Sequence, residues 1–353
     1  MKIPHLLLSL FLCSQAFGQS PCGGPGPVPF QDHGKWGYVS PDGIVISARF
    51  DLAGPFGTDG AIACVANLCG VLDEAGSFVP PTWDRQSRPF PESYSEGLAP
   101  ANESDKWGYV DRQRNVVIPF QFKYAGRFDE GMARVLLNNK FFFVNRAGTR
   151  MTPEFDGAFD FHEGLAAVNV GKNVGYINRA GSFVIPPAHQ SASGIDFSEG
   201  VAAIRIKGKV GFMDRSGKVV IEPKYDDVYA FSDGLAPVKL DDEWGYVDKI
   251  GNLVIPIQYQ IAHMFSEGMA SVERNGKWQY IGPSGKPAFA AVFDSAMPFC
   301  GGVASVRTFQ TMGKTSGGCR STFFRGRRGI VNHAGDYIWR DAEEQTWHSP
   351  VCD

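Results

Sequence analysis

The residues that recur at fixed spacing and could do chemistry are carboxylates. An acidic residue stands before a glycine at Asp59, Glu96, Glu130, Glu163, Glu199, Asp233 and Glu267, and Gly301 takes that place in an eighth copy. Such a ladder could bind cations or a basic ligand. The plainer reading is that each carboxylate caps its own turn by accepting backbone N–H bonds, with the following glycine at positive φ. Acid–base catalysis needs two carboxylates in different environments, whereas a repeated position gives every copy nearly the same one. The histidines, His33, His162, His189, His263, His333 and His348, are scattered singly, without an H-E-x-x-H or H-x-H pair, and are expected at the surface or in turns. No G-x-S-x-G elbow is present, and the glycine-rich run at 313–318 lacks the strand–loop–helix context of a phosphate loop. No catalytic residue, metal or cofactor is expected.

Basic and aromatic groups concentrate in one place. The stretch 308–328, TFQTMGKTSGGCRSTFFRGRR, combines Lys314, Arg320, Arg325, Arg327 and Arg328 with Phe309, Phe323 and Phe324. Charge, bidentate hydrogen bonds and stacking could together hold an anionic glycan, a phosphate group or a peptide. The alternative is a long hairpin tied by a Cys300–Cys319 disulfide, its phenylalanines packed on the neighbouring unit. A second irregular stretch, 83–93, carries Trp83, Arg85, Arg88 and Phe90 with a weaker claim.

The cysteines point to an oxidising compartment. Met1 and Lys2 precede the apolar run LLLSLFL at 6–12 and a short polar stretch, the layout of a secretory signal peptide cleaved after Gly18. Cys13 goes with the leader, and Cys22, Cys64, Cys69, Cys300, Cys319 and Cys352 remain for three disulfides. Cys64 and Cys69 face each other if Ala66-Asn67 is a two-residue turn. Cys300 and Cys319 bracket the basic insertion, which leaves Cys22 and Cys352 to join the chain ends. Lys+Arg 34 against Asp+Glu 37, a net charge of -3, offers no general attraction for nucleic acid or an anionic membrane. No later segment reaches the roughly 18 apolar residues of a membrane helix, so a soluble mature protein is expected.

The elements that position these groups repeat along the 353 residues. An aromatic anchor before the acidic-glycine turn stands at Phe56, Tyr94, Phe128, Phe161, Phe197, Phe231, Phe265 and Phe299, at steps of 38, 34, 33, 36, 34, 34 and 34 residues by subtraction. A second series runs through Trp36, Cys69, Trp107, Phe141, Val174, Val210, Trp244, Trp278 and Arg328, each followed by Gly except Phe141 and Trp278. Within a unit, 235–240 (LAPVKL) and 244–248 (WGYVD) alternate apolar and other residues as half-buried strands do, 241–243 allows only a hairpin, and 253–256 (LVIP) makes a third strand ended by proline.

The recurring unit, F-S-E-G-L/M/V-A, a polar turn, W-G-Y-V-D, a glycine turn and V-I-P-x-x-Y, resembles the WG-repeat family, whose Trp-Gly pair stands here as Trp36-Gly37, Trp107-Gly108 and Trp244-Gly245. The resemblance implies tandem bacterial repeats suspected of mediating binding, with no shared catalytic set to carry over. Three strands cannot bury an apolar face alone, so units must stack. The expectation is an all-β chain of three-stranded β-meanders stacked into a curved solenoid, with a closed propeller-like ring as the alternative. The expected layout is a signal peptide at 1–18, a lead-in at 19–35, an array of about eight and a half units at 36–339 and a tail at 340–353. The function this supports is non-catalytic, exported binding of a protein or glycan by a monomer; a glycan-active or other hydrolase on a ring, and a structural or inhibitory role for the 308–328 tip, are the alternatives.

Overall fold

The computed structural model describes residues 26–57, 59–84, 90–91, 94–189, 196–314 and 320–351. Among them the chain forms strands and turns and no helix, and no helix is therefore long and apolar enough to cross a membrane. The strands assemble into nine antiparallel sheets that follow one another in sequence. The expected meander is the body of each sheet. In the seventh, Leu235–Leu240 pairs Glu243–Asp248, which pairs Leu253–Tyr259. The structure adds a short leading strand near the anchor aromatic, here Asp227–Val228, and among the described residues four of the nine sheets have four strands.

Burial follows the alternation. The second meander strand is nearly enclosed along its length, while the last one exposes apolar side chains such as Val116, Val117, Leu253 and Val254. Apolar cores lie between consecutive sheets rather than within them. Tyr38, Ile46 and Phe50 of the first sheet meet Phe56, Ala63 and Leu72 of the second. Tyr109, Ile118 and Phe122 of the third meet Phe128, Val135 and Phe142 of the fourth. The pattern continues to Tyr280 of the eighth sheet, packed on Phe299 and Val306 of the ninth.

The last such core joins the two ends. Phe30 and Val39 of the first sheet pack with Val303 and Ile330 of the ninth, and the rings of Phe30 and Trp339 lie 5.4 Å apart. A Cβ on Gly301 would meet the Gly26 carbonyl at 2.8 Å. No sheet curls into a barrel; each stays open and stands between two neighbours. Of the two ways to stack the repeats, curved solenoid and ring, contact between first and last sheet is what a ring requires.

Candidate functional site

The acidic ladder is built by tight turns. Ser95 and Leu98 exchange backbone hydrogen bonds of 2.9 and 3.1 Å, with Glu96 at φ 52 and Gly97 at φ 81 between them. Positive φ at both central residues is the two-residue hairpin turn that matches strand twist. The carboxylates do not cap their own turns, as the sequence led us to expect; each reaches the next sheet. The Gly131 N–H donates to Glu96 at 3.1 Å, Gly164 to Glu130 at 2.9 Å, Gly200 to Glu163 at 3.0 Å and Gly234 to Glu199 at 3.2 Å. Gly97, Gly268 and Gly302 donate likewise to Asp59, Asp233 and Glu267. A basic side chain from the following sheet joins several of them: Arg112 at Asp59, Arg179 at Glu130, Lys249 at Glu199 and His333 at Glu267. The ladder is thus an inter-sheet belt whose acceptors are already engaged.

The tryptophans are structural too. Trp244 is buried and stacks on Tyr229 at 4.9 Å, and Trp278 tilts against His263 at 5.0 Å, while Trp36 and Trp107 are half-buried. The tyrosine two residues further on seals the junction. Tyr109, Tyr246 and Tyr280 each donate their hydroxyl, at 2.7 Å, to the carbonyl of Gly126, His263 or Met297 in the next sheet. The same rings pack edge-on or tilted against Phe128, Phe265 and Phe299 at 4.8–5.0 Å. Burial raises these phenols well above their ordinary pKa. The sequence signal for them is the tyrosine two residues after the tryptophan, in Trp107-Gly108-Tyr109, Trp244-Gly245-Tyr246 and Trp278-Gln279-Tyr280.

The basic insertion forms a long ribbon. Val303–Lys314 and Arg320–Asn332 pair with Thr308 opposite Arg327, Phe309 opposite Gly326 and Gln310 opposite Arg325. The strand Gln345–Val351, within the expected tail, adds to its other edge, with Phe324 opposite Trp347 and Phe323 opposite His348. Some of the predicted cations are spent internally. Arg325 pairs with Glu344 at 2.7 Å, and Arg328 grips the buried Asp341 through Nε and Nη2 at 3.1 and 3.0 Å. Arg327 and Phe309 are half-buried. Lys314, Arg320, Phe323 and Phe324 are placed here by backbone register alone.

Of the disulfides, Cys64–Cys69 is formed across the pair Cys64↔Cys69, with Ala66 of the intervening turn at φ 52. Cys300 is also disulfide-bonded. Cys22, Cys319 and Cys352 lie outside the described residues, as does the leader at 1–18.

The structure also assembles an arc of ionisable groups that the sequence reading left scattered. In regular copies the residue after the anchor aromatic is serine, whose hydroxyl donates to the carbonyl of the next anchor: Ser95 to Phe128 at 2.6 Å, Ser198 to Phe231 and Ser266 to Phe299 at 2.8 Å. Two successive copies carry Asp129 and His162 there instead, and Asp160 and Asp196 precede the anchors Phe161 and Phe197, where later copies have Ala230 and Met264. Asp160 is held by Arg134 Nε at 3.0 Å. His162 Nε2 lies 4.0 Å from Asp196 Oδ2, and among the described residues neither His162 Nε2 nor Asp196 Oδ1 has a hydrogen-bond partner. Asp196 is 5% exposed. Burial, then the neighbouring Asp160, pushes its carboxyl up to about 7. Burial also raises Asp129, opposed by His162 and Arg127. Among the described residues no group of three or more His, Cys, Asp or Glu is arranged to hold a metal ion.

His263, expected at the surface or in a turn, is half-buried, with Nδ1 2.7 Å from Ser271 Oγ, and burial lowers its pKa to about 4. An open groove of about 380 Å³ beside Phe122 and Phe142 contains Arg150 and Glu154, which already pair with each other at 2.9 Å.

Comparison with solved structures agrees on architecture. The crystal structure of the eukaryotic initiation factor is similar at 12% identity and a TM-score of 0.60, over 91% of this chain and 97% of that one, a likeness of fold alone. Dihydro-heme d1 dehydrogenase NirN in complex with DHE (9% identity, TM-score 0.43, 81% of this chain and 72% of that one) is more distant. So is Kluyveromyces lactis Hsv2p (8%, 0.40, 73% and 96%). No curated protein matches the chain. The WG containing repeat matches five times, at residues 107–141, 143–173, 175–209, 211–244 and 244–278. These copies coincide with the Trp-Gly strands and carboxylate turns described above, and the chain is a member of the WG-repeat family.

Proposed function

We propose that the protein is a non-catalytic, exported repeat scaffold that binds a protein or glycan as a monomer, with the long ribbon as its principal contact. The supporting observation is the length of one hairpin. Its strands run 12 and 13 residues, Val303–Lys314 and Arg320–Asn332, against 6 and 6 for Leu235–Leu240 and Glu243–Asp248. Among the described residues, the cores between sheets draw on its base, Val303, Ala304, Val306, Ile330 and Val331. Guanidinium groups on such a ribbon suit bidentate recognition of carboxylate or sulfate, and aromatic neighbours suit stacking. Export is supported by the leader-like residues 1–18 and by the Cys64–Cys69 disulfide, a bond that persists in oxidising compartments.

The test is a glycan array, with pull-down from envelope extracts, using the mature protein and a Lys314→Ser/Arg320→Ser/Arg327→Ser variant. Retention of an acidic glycan or a defined protein, weakened at least about tenfold in the variant, is expected. Equal retention by both, or none by either, contradicts the proposal.

The hydrolytic reading has one observation in its favour, the carboxylates Asp129, Asp160 and Asp196 in unequal environments along one arc. Release of sugar from a glycan panel, abolished by Asp196→Asn, would establish it in place of the scaffold.

A further inference from the structure

We propose that the arc formed by Asp129, Asp160, His162 and Asp196 is a binding site for a primary ammonium group, a use of the molecule separate from the ribbon. The repeat is broken here. Across three successive copies, five of the six positions flanking the anchor aromatic turn from serine and apolar residues to ionisable ones, Arg127, Asp129, Asp160, His162 and Asp196, and only Ser198 keeps the regular residue. The basic groups are unevenly shared within the arc. Arg134 neutralises Asp160 at 3.0 Å, and Arg127 and His162 lie near Asp129. Asp196 keeps no cation of its own, since its nearest basic group is His162 at 4.0 Å.

The buried Oδ1 of Asp196 and Nε2 of His162 both lack a hydrogen-bond partner among the described residues. With the His162 proton on Nδ1, both are acceptors, and an ammonium group offers up to three N–H donors to them. Burial strengthens such charge-assisted bonds. His162 remains 21% and Asp160 12% exposed, so the arc opens to solvent at one edge. The metal alternative is disfavoured because the described His and Asp groups do not converge in a metal-binding arrangement. An ammonium needs only one carboxylate and one further acceptor.

Binding should be coupled to pH. The groups facing Asp196 are Asp160, Asp129, Arg134, His162 and Tyr176. The ammonium binds the ionised carboxylate, whose proton leaves near pH 7. Affinity therefore rises about tenfold from pH 6 to pH 8.

The experiment is calorimetric titration of the mature protein with cadaverine and with Nα-acetyl-lysine amide, using tetramethylammonium as a cation without N–H donors. Two variants keep the fold falsifiable separately. Asp196→Ala installs the residue found at the equivalent position as Ala230, and Asp129→Ser/His162→Ser restores the serine of the regular copies. Both are expected to melt no lower than the parent and to bind cadaverine or the lysine amide at least tenfold more weakly. Tighter binding of the lysine amide identifies a protein side chain as the source, and tighter binding of cadaverine a free polyamine. Absence of binding by the parent, equal binding by Asp196→Ala, or equal binding of tetramethylammonium overturns the proposal.

Discussion

At Gly37, Gly108, Gly211 and Gly245, which follow the tryptophan position, what glycine supplies is space. A Cβ there would come within 2.2–2.6 Å of the carbonyl oxygen of Ile46, Ile118, Ile221 or Ile255, where the last meander strand bulges across. Gly211→Ala, the tightest at 2.2 Å, is expected to cost about 1–3 kcal/mol in urea denaturation. Gly282→Ala, with nothing within 4 Å of its Cβ, should change stability by less than about 0.5 kcal/mol. The regular spacing of these glycines and the third strand were both legible in the sequence, but the close approach that demands glycine was not, since it comes from a bulge in that strand nine or ten residues on. Two titrating groups give opposite pH signatures. Asp196 has a folded pKa of about 7, above its ordinary 3.8, so its contribution is fully present below pH 4 and lost as pH rises through 7. Asp196→Ala should therefore gain stability relative to the parent between pH 4 and 8, by on the order of 2 kcal/mol. His263 is depressed to about 4 from 6.5, so its contribution is present above pH 6.5 and lost as pH falls through 4. A His263→Gln variant should flatten the parent's loss of stability across that window.

Sheets are joined to one another by a belt that sequence spacing revealed and sequence logic misassigned. A carboxylate before glycine looks like a local cap because its partner, the N–H of a glycine 34 to 38 residues on, is invisible without the stacking. Glu163, which accepts from Gly200 at 3.0 Å with Arg215 at 3.9 Å, is a direct test. Glu163→Ala should lower stability by about 1–3 kcal/mol, the range for a charge-assisted hydrogen bond, whereas a carboxylate capping only its own turn would leave the junction of the fifth and sixth sheets unaffected. The two copies without glycine after the anchor were equally legible, and the structure shows their consequence. Where Phe142 and Gln279 stand, the last meander strand is reduced to the isolated bridges Phe141↔Phe155, Val144↔Arg150, Trp278↔Phe293 and Ile281↔Pro287. Hydrogen exchange should be faster over 149–155 and 286–293 than over Val219–Tyr225, which remains a continuous strand paired across a bulge. Equal protection would show that the missing glycine is immaterial.

For the whole molecule, the repeat period, the all-β class and the hairpin turns follow from spacing and composition, and the Cys64–Cys69 pairing follows from its turn. Closure does not, because it sums a small rotation per sheet over nine sheets and is sealed by contacts between residues some three hundred apart. The one local trace was Gly301, standing where other copies carry a carboxylate, since a side chain there would strike Gly26. The arc at Asp129, His162 and Asp196 escaped for the same reason: each residue is unremarkable in its own unit, and only stacking brings three units together. Closure can be measured by electron–electron distance spectroscopy between spin labels on Asp42→Cys and Ala334→Cys, exposed turn residues of the first and ninth sheets. With neighbouring sheets about 10 Å apart, a ring predicts one narrow distance within about 20 Å. An open array of the same sheets would place the labels on the order of 80 Å apart, and a distance of that size would contradict the ring.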